Sequence, residues 1–326
     1  MIAFFDALSE SQVSVDALLR SAASLLGAPV GLRLGESARV SLAATDGTMS
    51  KGEAEVDPGW PTSTWGASRE HRAFVVREGG ERNVNDLLVL ERLGLALRTA
   101  DERARTPGER PAAEVLLDDA ASVEDRGRAA GRLHLPNQGV LRVTATPFGQ
   151  DLGRGSANGS RTAVLFTPVG MLRGTILIGA EAAGAATPGG EPSRQGEAAA
   201  SGIDGLPAAW RRAVTALRMS SQRRPTVSAE DLGDALALAA TPADSPDQLR
   251  LTAAQQRFEW TAETAEALGL GESVREAARL LGVHHSTLQR RLEELSGALG
   301  FDVATPDGRF RLRCAHLART FHTARF

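Results

Sequence analysis

Apolar residues recur along the chain at two spacings, and each change of spacing marks a change of element. Val15, Leu18, Leu19, Ala22, Leu25 and Leu26 recur at helical intervals, and Gly27 stands where such a helix would end. Short runs with strand character follow at 29–34, 38–44, 62–67 and 72–78. A strongly apolar helix is then predicted over about 83–103, with Leu87, Leu88, Leu90, Leu93, Leu95 and Leu97 on more than one face. One face must pack on the segment's own sheet. The surplus leucines are either sandwiched within the chain or pair with a second subunit.

The stretch 104–112 is rich in Arg, Pro and Gly and reads as a linker. Beyond it, Ser122 can cap a helix whose first turn carries Glu124 and Asp125, which suits the positive helix end. Strand-like runs follow at 139–146, 162–169 and 175–180. Residues 181–202 are of low complexity, bury little, and are expected to form a mobile loop. A helix at 206–222 would present Trp210, Val214 and Leu217, and a second at 228–240 would be capped by Ser228. A further linker is read at 242–247. The pattern predicts an α+β multidomain chain. It comprises a small sensor or dimerisation domain at 1–105, an α/β central domain at 113–240, and an all-α helix-turn-helix domain at 248–326.

The last of these carries the chemistry. Ser273-Val-Arg-Glu276 is a capping box, from which a short helix runs to Leu281. Gly282 sits where a left-handed backbone is cheapest. A second capping pattern, Ser286-Thr-Leu-Gln289, starts another helix running to about Ser296. Two helices joined by a tight Gly-containing turn are the layout of a helix-turn-helix. The small Ala277 and Ala278 permit a close crossing, and Leu281, Val283, Leu288, Leu292 and Leu295 supply the apolar contacts. The polar residues at the entry and along the second helix are His284, His285, Ser286, Thr287, Gln289, Arg290 and Arg291. Nearly all can donate to a phosphate or a base edge, which favours double-stranded DNA over an ordinary helical hairpin. His285, Ser286, Gln289 and Arg290 are the candidate base readers, with Gln289 also a candidate capping partner of Ser286. Arg291 takes a position often apolar in such motifs, where its stem can pack while its head faces phosphate.

The tail beyond Gly300 has two readings. As a helix, Thr305 caps it, Pro306 takes its first position, and Phe310, Cys314, Leu317 and Phe321 form a stripe. As a hairpin wing, Pro306-Asp-Gly308 turns the chain and Arg309, Arg311 and Arg313 line one strand face. The helical stripe accounts for more residues and is preferred. Either reading leaves arginines available to phosphates.

Charge changes the picture locally. The whole chain is −3, but 273–326 holds nine arginines against five acids, a local +4 that leaves −7 on residues 1–272. Such asymmetry is an electrostatic footprint for a polyanion. Cys314 is the only cysteine, which excludes an intramolecular disulfide. The N-terminal residues lack a basic region and a long apolar run, and no apolar stretch of 18 residues occurs, so neither a signal peptide nor a membrane span is expected. The expected setting is cytoplasmic. The adjacent His284 and His285 have no Cys or acidic partner at ligand spacing, so no metal or other cofactor is expected. The string 153–159 lacks the spacing of a phosphate loop. His71 and His134 are isolated. Trp60 and Trp65 flank a Pro-containing turn and either pack ordinarily or line an effector pocket.

Two resemblances follow from these residues. The order helix, strands, long helix over the first segment resembles a GAF-type sensor domain. The segments SVREAARLLGVHHSTLQRRLEELSGALGFD (273–302) and TPDGRFRLRCAHL (305–317) resemble the PucR/CdaR regulators. The likeness extends to 206–221, 227–240 and 116–135, which are similar to the end and beginning of that family's GGDEF-like central domain. It implies a dimeric, effector-responsive transcription factor rather than an enzyme. The acidic GGDEF signature is missing; its nearest string is Gly189-Gly-Glu-Pro192, so the resemblance implies a catalytically silent central domain. The LysR-type regulators have a similar DNA-binding module but place it at the N-terminus. The alternatives from other classes are a nucleotide-binding or enzymatic protein with an accessory helical domain, and a helix-turn-helix that binds a partner protein.

Overall fold

The structure is a computed structural model that describes residues 8, 13–35, 39–66, 70–77, 83–103, 110–136, 139–149, 161–179, 193–222, 224–270 and 273–326. The strings 153–159 and 189–192 and the linker core 104–109 lie outside the described residues. The chain divides into two compact units, with the boundary between Glu230 and Asp231.

The first unit opens with α1, Val15–Leu26, whose cap is the Ser14 hydroxyl accepting from Ala17 N at 3.2 Å and whose end is Gly27 at φ 58°. Five strands follow: β1 (Val30–Arg33), β2 (Arg39–Ala43), β3 (Met49–Glu53), β4 (Thr62–Trp65) and β5 (His71–Val75). They form an antiparallel sheet in the order β3-β2-β1-β5-β4. Strand alternation sends Val30, Leu32, Ala43, Ala73 and Val75 to one face, which α1 and the long helix α2 (Val84–Arg103) cover. Phe74, Val40 and Val56 form a smaller cluster on the other face, joined by Leu42, Trp60 and Val76. Gly31 is required there, since a Cβ would stand 2.1 Å from the Phe74 ring. The strand β3 was not predicted. Its sequence, Met-Ser-Lys-Gly-Glu, is almost wholly exposed at a sheet edge and carries no apolar alternation.

On α2, Val89, Leu90, Leu93 and Leu97 are buried while Leu87 is 64% exposed and Leu95 40%. The helix therefore has one inward face and a surplus, as the sequence indicated.

The rest of the unit begins with α3 (Ala112–Leu117) and α4 (Val123–Arg132), the latter capped by the Ser122 hydroxyl accepting from Asp125 N at 3.0 Å. A second sheet holds β6 (Val140–Pro147), β7 (Thr162–Thr167), β8 (Gly170–Ile178), β9 (Gln195–Ser201) and β10 (Thr226–Ser228) in the order β10-β9-β6-β8-β7. Only the β9–β10 pair is parallel, so the central segment is less α/β than expected. The low-complexity stretch also needs correction. Residues 195–201, expected as mobile loop, form the strand β9, paired along β6 and burying Gly196, Ala198 and Ala200. Small residues replaced the branched ones that usually announce a strand. They are there because α5 (Leu206–Arg218) lies so close that a Cβ on Gly196 would stand 2.0 Å from the Ala213 carbonyl oxygen. The face of α5 is Trp210, Ala213 and Leu217, with Val214 only half-buried.

The helix expected at 228–240 is a correction as well. Only α6, Ala229–Leu232, is α-helical; Gly233 takes φ 50° and a 3-10 segment continues to Ala240. The left-handed glycine ends the α-helical ladder.

The second unit is helical: α7 (Pro246–Arg257), α8 (Thr261–Leu270), α9 (Val274–Leu281), α10 (His285–Leu299) and α11 (Pro306–Thr323). The expected linker at 242–247 ends early, because Pro246 already occupies the first turn of α7. One core joins all five helices, with Leu251, Leu268, Ala277, Leu288, Leu292, Leu295, Leu299 and Leu312 among its buried members.

Candidate nucleic-acid interface

Two short helices and a three-residue turn build the site. The Ser273 hydroxyl accepts from Glu276 N at 3.2 Å and starts α9. Ala277 and Ala278 are buried, Leu281 and Val283 half-buried. Gly282 closes the helix at φ 66°, and Val283 N donates to Ala278 O at 3.1 Å, which turns the chain into the second helix. Leu288 and Leu292 then anchor α10 beneath α9.

The start of α10 differs from the sequence reading. The cap is His284, not Ser286: its Nδ1 accepts from Ser286 N at 3.3 Å and lies 2.7 Å from the Ser286 hydroxyl. Ser286 is already inside the first turn. Gln289 is thereby released from the capping role proposed for it, and its side chain is exposed. The helix also runs on to Leu299, beyond Ser296. The Ser296 hydroxyl donates to Leu292 O at 2.7 Å and accepts from Val303 N at 3.0 Å, so it secures the following turn instead of ending the helix.

His284, His285, Ser286, Gln289 and Arg290 are exposed, and Thr287 partly so. His285, Ser286, Gln289 and Arg290 are spaced one turn apart on one side of α10. The Arg290 side chain is 72% exposed, 3.8 Å from Glu294. Arg279 on α9 is equally open, 3.8 Å from Glu276. Glu293 and Glu294 are exposed on the next turn of α10. Their charge leaves the first two turns, where the helix end is itself positive, as the part of α10 that suits an anion.

Arg291 behaves differently from its neighbour. Its guanidinium lies 5.1 Å from the Trp260 ring centroid, a cation–π contact, and the residue is half-buried. The sequence reading packs the stem and leaves the head to phosphate; here it is the head that meets protein. Its aromatic partner was not foreseen, because Trp260 precedes α8 and is remote in sequence.

The tail is the helix α11, capped by the Thr305 hydroxyl accepting from Gly308 N at 3.1 Å, and no wing is present among the described residues. Its stripe is rotated from the expected one. Gly308, Leu312, Ala315, Ala318 and Phe321 are buried, while Phe310 is 70% exposed. Backbone approach sets the rotation, since a Cβ on Gly308 would meet Asp302 O at 1.8 Å. The tail arginines are largely committed. Arg311 donates to both oxygens of Asp247 at 2.7 and 2.8 Å, and Arg319 donates to Gln255 and Thr252. Their availability to phosphates, expected from the sequence, is reduced accordingly. Among the described residues no cluster of three His, Cys, Asp or Glu is arranged to hold a metal ion, and no helix is long and apolar enough to cross a membrane.

Residues 261–318, from α8 through most of α11, match the family described as the PucR C-terminal helix-turn-helix domain. Over these residues the chain carries a PucR-type helix-turn-helix domain. Comparison with curated proteins gave no match. Among solved structures, the chain is similar to a regulator of polyketide synthase expression from Bifidobacterium adolescentis. The identity is 19%, over 64% of this chain and 96% of that chain, with a TM-score of 0.28. At that score the superposition does not bear on the arrangement of this chain. The matched residues include the two helices and the glycine turn described above.

Proposed function

We propose that the chain is a transcriptional regulator that lays the first two turns of α10 in the major groove of double-stranded DNA. The observation that carries this reading is the exposed set His285, Ser286, Gln289 and Arg290 on one side of a helix inside a PucR-type module. Arg290 suits bidentate contact with guanine, and Gln289, free of capping, suits adenine. His284 and Ser286 hold each other at the helix start and orient the reading face. Thr287, Arg291 and Arg279 face the phosphates, with Arg291 steadied by Trp260. Ala277, Ala278, Leu281, Gly282, Val283, Leu288 and Leu292 are the scaffold.

In the same reading the chain acts as a homodimer, and the exposed leucines of α2 pair with a second copy. Residues 1–105 form a sensor domain that answers a small-molecule effector, residues 113–240 a central domain without catalytic chemistry, and residues 248–326 the DNA-binding domain. Electrophoretic titration of genomic fragments tests the core of this. A retarded band that weakens with salt supports it, and no salt-dependent binding on any fragment overturns it.

A further inference from the structure

The outer face of the first sheet carries an electrostatic conflict. In the β1–β5 pairing Arg33 stands directly opposite Arg72, so the two side chains leave the sheet on the same side. Like charges directly opposite one another oppose pairing. The Nε of each is buried and has no hydrogen-bond partner, and neither guanidinium is ion-paired among the described residues.

Arg72 also lines a cleft of about 690 Å³, a size suited to a small ligand. Trp60 forms one wall. It stacks on Phe74 with centroids 5.6 Å apart, so one ring face is backed by protein while the indole also borders the cleft. Phe74 is two residues along β5 from Arg72, hence on the same face. Val84 and Leu87, both well exposed, add apolar lining, and Thr62 and Asn83 add polar groups. The remaining charge in the cleft, Asp86, is already neutralised. It is 1% exposed and accepts from Arg77 at 2.6 and 3.1 Å and from Asn83 N at 3.2 Å. Trp65, by contrast, packs into the cluster on the opposite face of the sheet and takes no part.

We infer that this cleft binds a planar aromatic monocarboxylate, with its ring against Trp60 and its carboxylate on the fork of Arg72. The inference rests on reading the first domain as a sensor. With Asp86 neutralised, the Arg72 guanidinium is the one uncompensated charge lining the cleft, and it matches one negative charge better than a phosphate dianion. The bound anion also relieves the repulsion between Arg72 and Arg33. An uncharged ring would gain the stacking alone.

Calorimetric titration of the full chain with indole-3-carboxylate, and separately with uncharged indole, tests it. The carboxylate should bind saturably, and indole at least tenfold more weakly. Arg72→Gln and Trp60→Leu should each weaken the carboxylate at least tenfold, and Arg33→Gln by less. Thermal melting without ligand guards against misfolding: Arg72→Gln should melt no lower than wild type, because it removes one of two opposed charges. Absence of saturable binding, equal binding of indole, or undiminished binding by Arg72→Gln would overturn the inference. DNA affinity measured on the same preparations is independent of these outcomes, so failure of the regulator reading shows separately.

Discussion

At the scale of single residues, Arg290 and Arg291 are adjacent in sequence yet sit differently. Arg290 is open to solvent on the proposed reading face, and the Arg291 guanidinium lies over Trp260. Arg290→Ala should lower specific DNA affinity by about 1–3 kcal/mol and relax discrimination at one base pair, with little effect on melting. Arg291→Ala should lower both affinity and melting temperature, because the cation–π contact with Trp260 is lost with the charge. Gly282 isolates a backbone effect. Nothing lies within 4 Å of a Cβ built there, so Gly282→Ala should cost about 1 kcal/mol from the left-handed conformation alone, read by denaturant unfolding. Asp247 gives a pH signature. Its carboxyl is held below the usual carboxylate range, first by the hydrogen bonds from Arg311. A lowered folded pKa contributes stability that is complete above the unfolded value and lost as pH falls through the folded one. Asp247→Asn should therefore flatten the acid side of the melting-temperature profile, from about pH 5 downward.

At the scale of elements, the sequence was most readable where local signals and packing agree. Ser273, Gly282 and the pair Ala277 and Ala278 each announce their role in a short window, and α9 forms accordingly. The Thr305-Pro306 start did the same for α11. Legibility failed where a distant contact decides. Nothing near Gly196 says strand, because its requirement comes from the Ala213 carbonyl of α5. Phe310 falls in a helical stripe, yet Asp302 beneath Gly308 rotates α11 and leaves Phe310 outside. His284 took the capping role that Ser286 advertises, since an imidazole Nδ1 can accept as a hydroxyl does. On the candidate site, the exposure of His285, Ser286, Gln289 and Arg290 was legible, and the cap at His284 and the Trp260 contact of Arg291 were not. The close approach at β9 carries its own expectation: Gly196→Val should unfold the first unit or sharply lower its melting temperature. Circular dichroism of the variant checks this.

At the scale of the whole molecule, a chain of net charge −3 concentrates +4 on its last 54 residues. That concentration makes a salt-sensitive contact with a polyanion possible without a basic protein. Each arginine that neutralises a phosphate steepens the salt dependence by about 0.9 in the slope of log K on log salt. The exposed Leu87, Leu88 and Leu95 of α2 carry the expectation of a dimer. Leu88→Glu with Leu95→Glu should shift sedimentation toward the monomer and weaken binding to paired half-sites. The central claim, that α10 of a PucR-type module reads DNA, is tested most directly by fluorescence-anisotropy titration of a selected genomic fragment. Wild type and Arg290→Ala are compared across a series of salt concentrations. The account predicts a negative salt slope for wild type and a loss of about 5- to 150-fold for Arg290→Ala on the specific fragment. Equal affinities of the two proteins, or binding indifferent to salt, would contradict it.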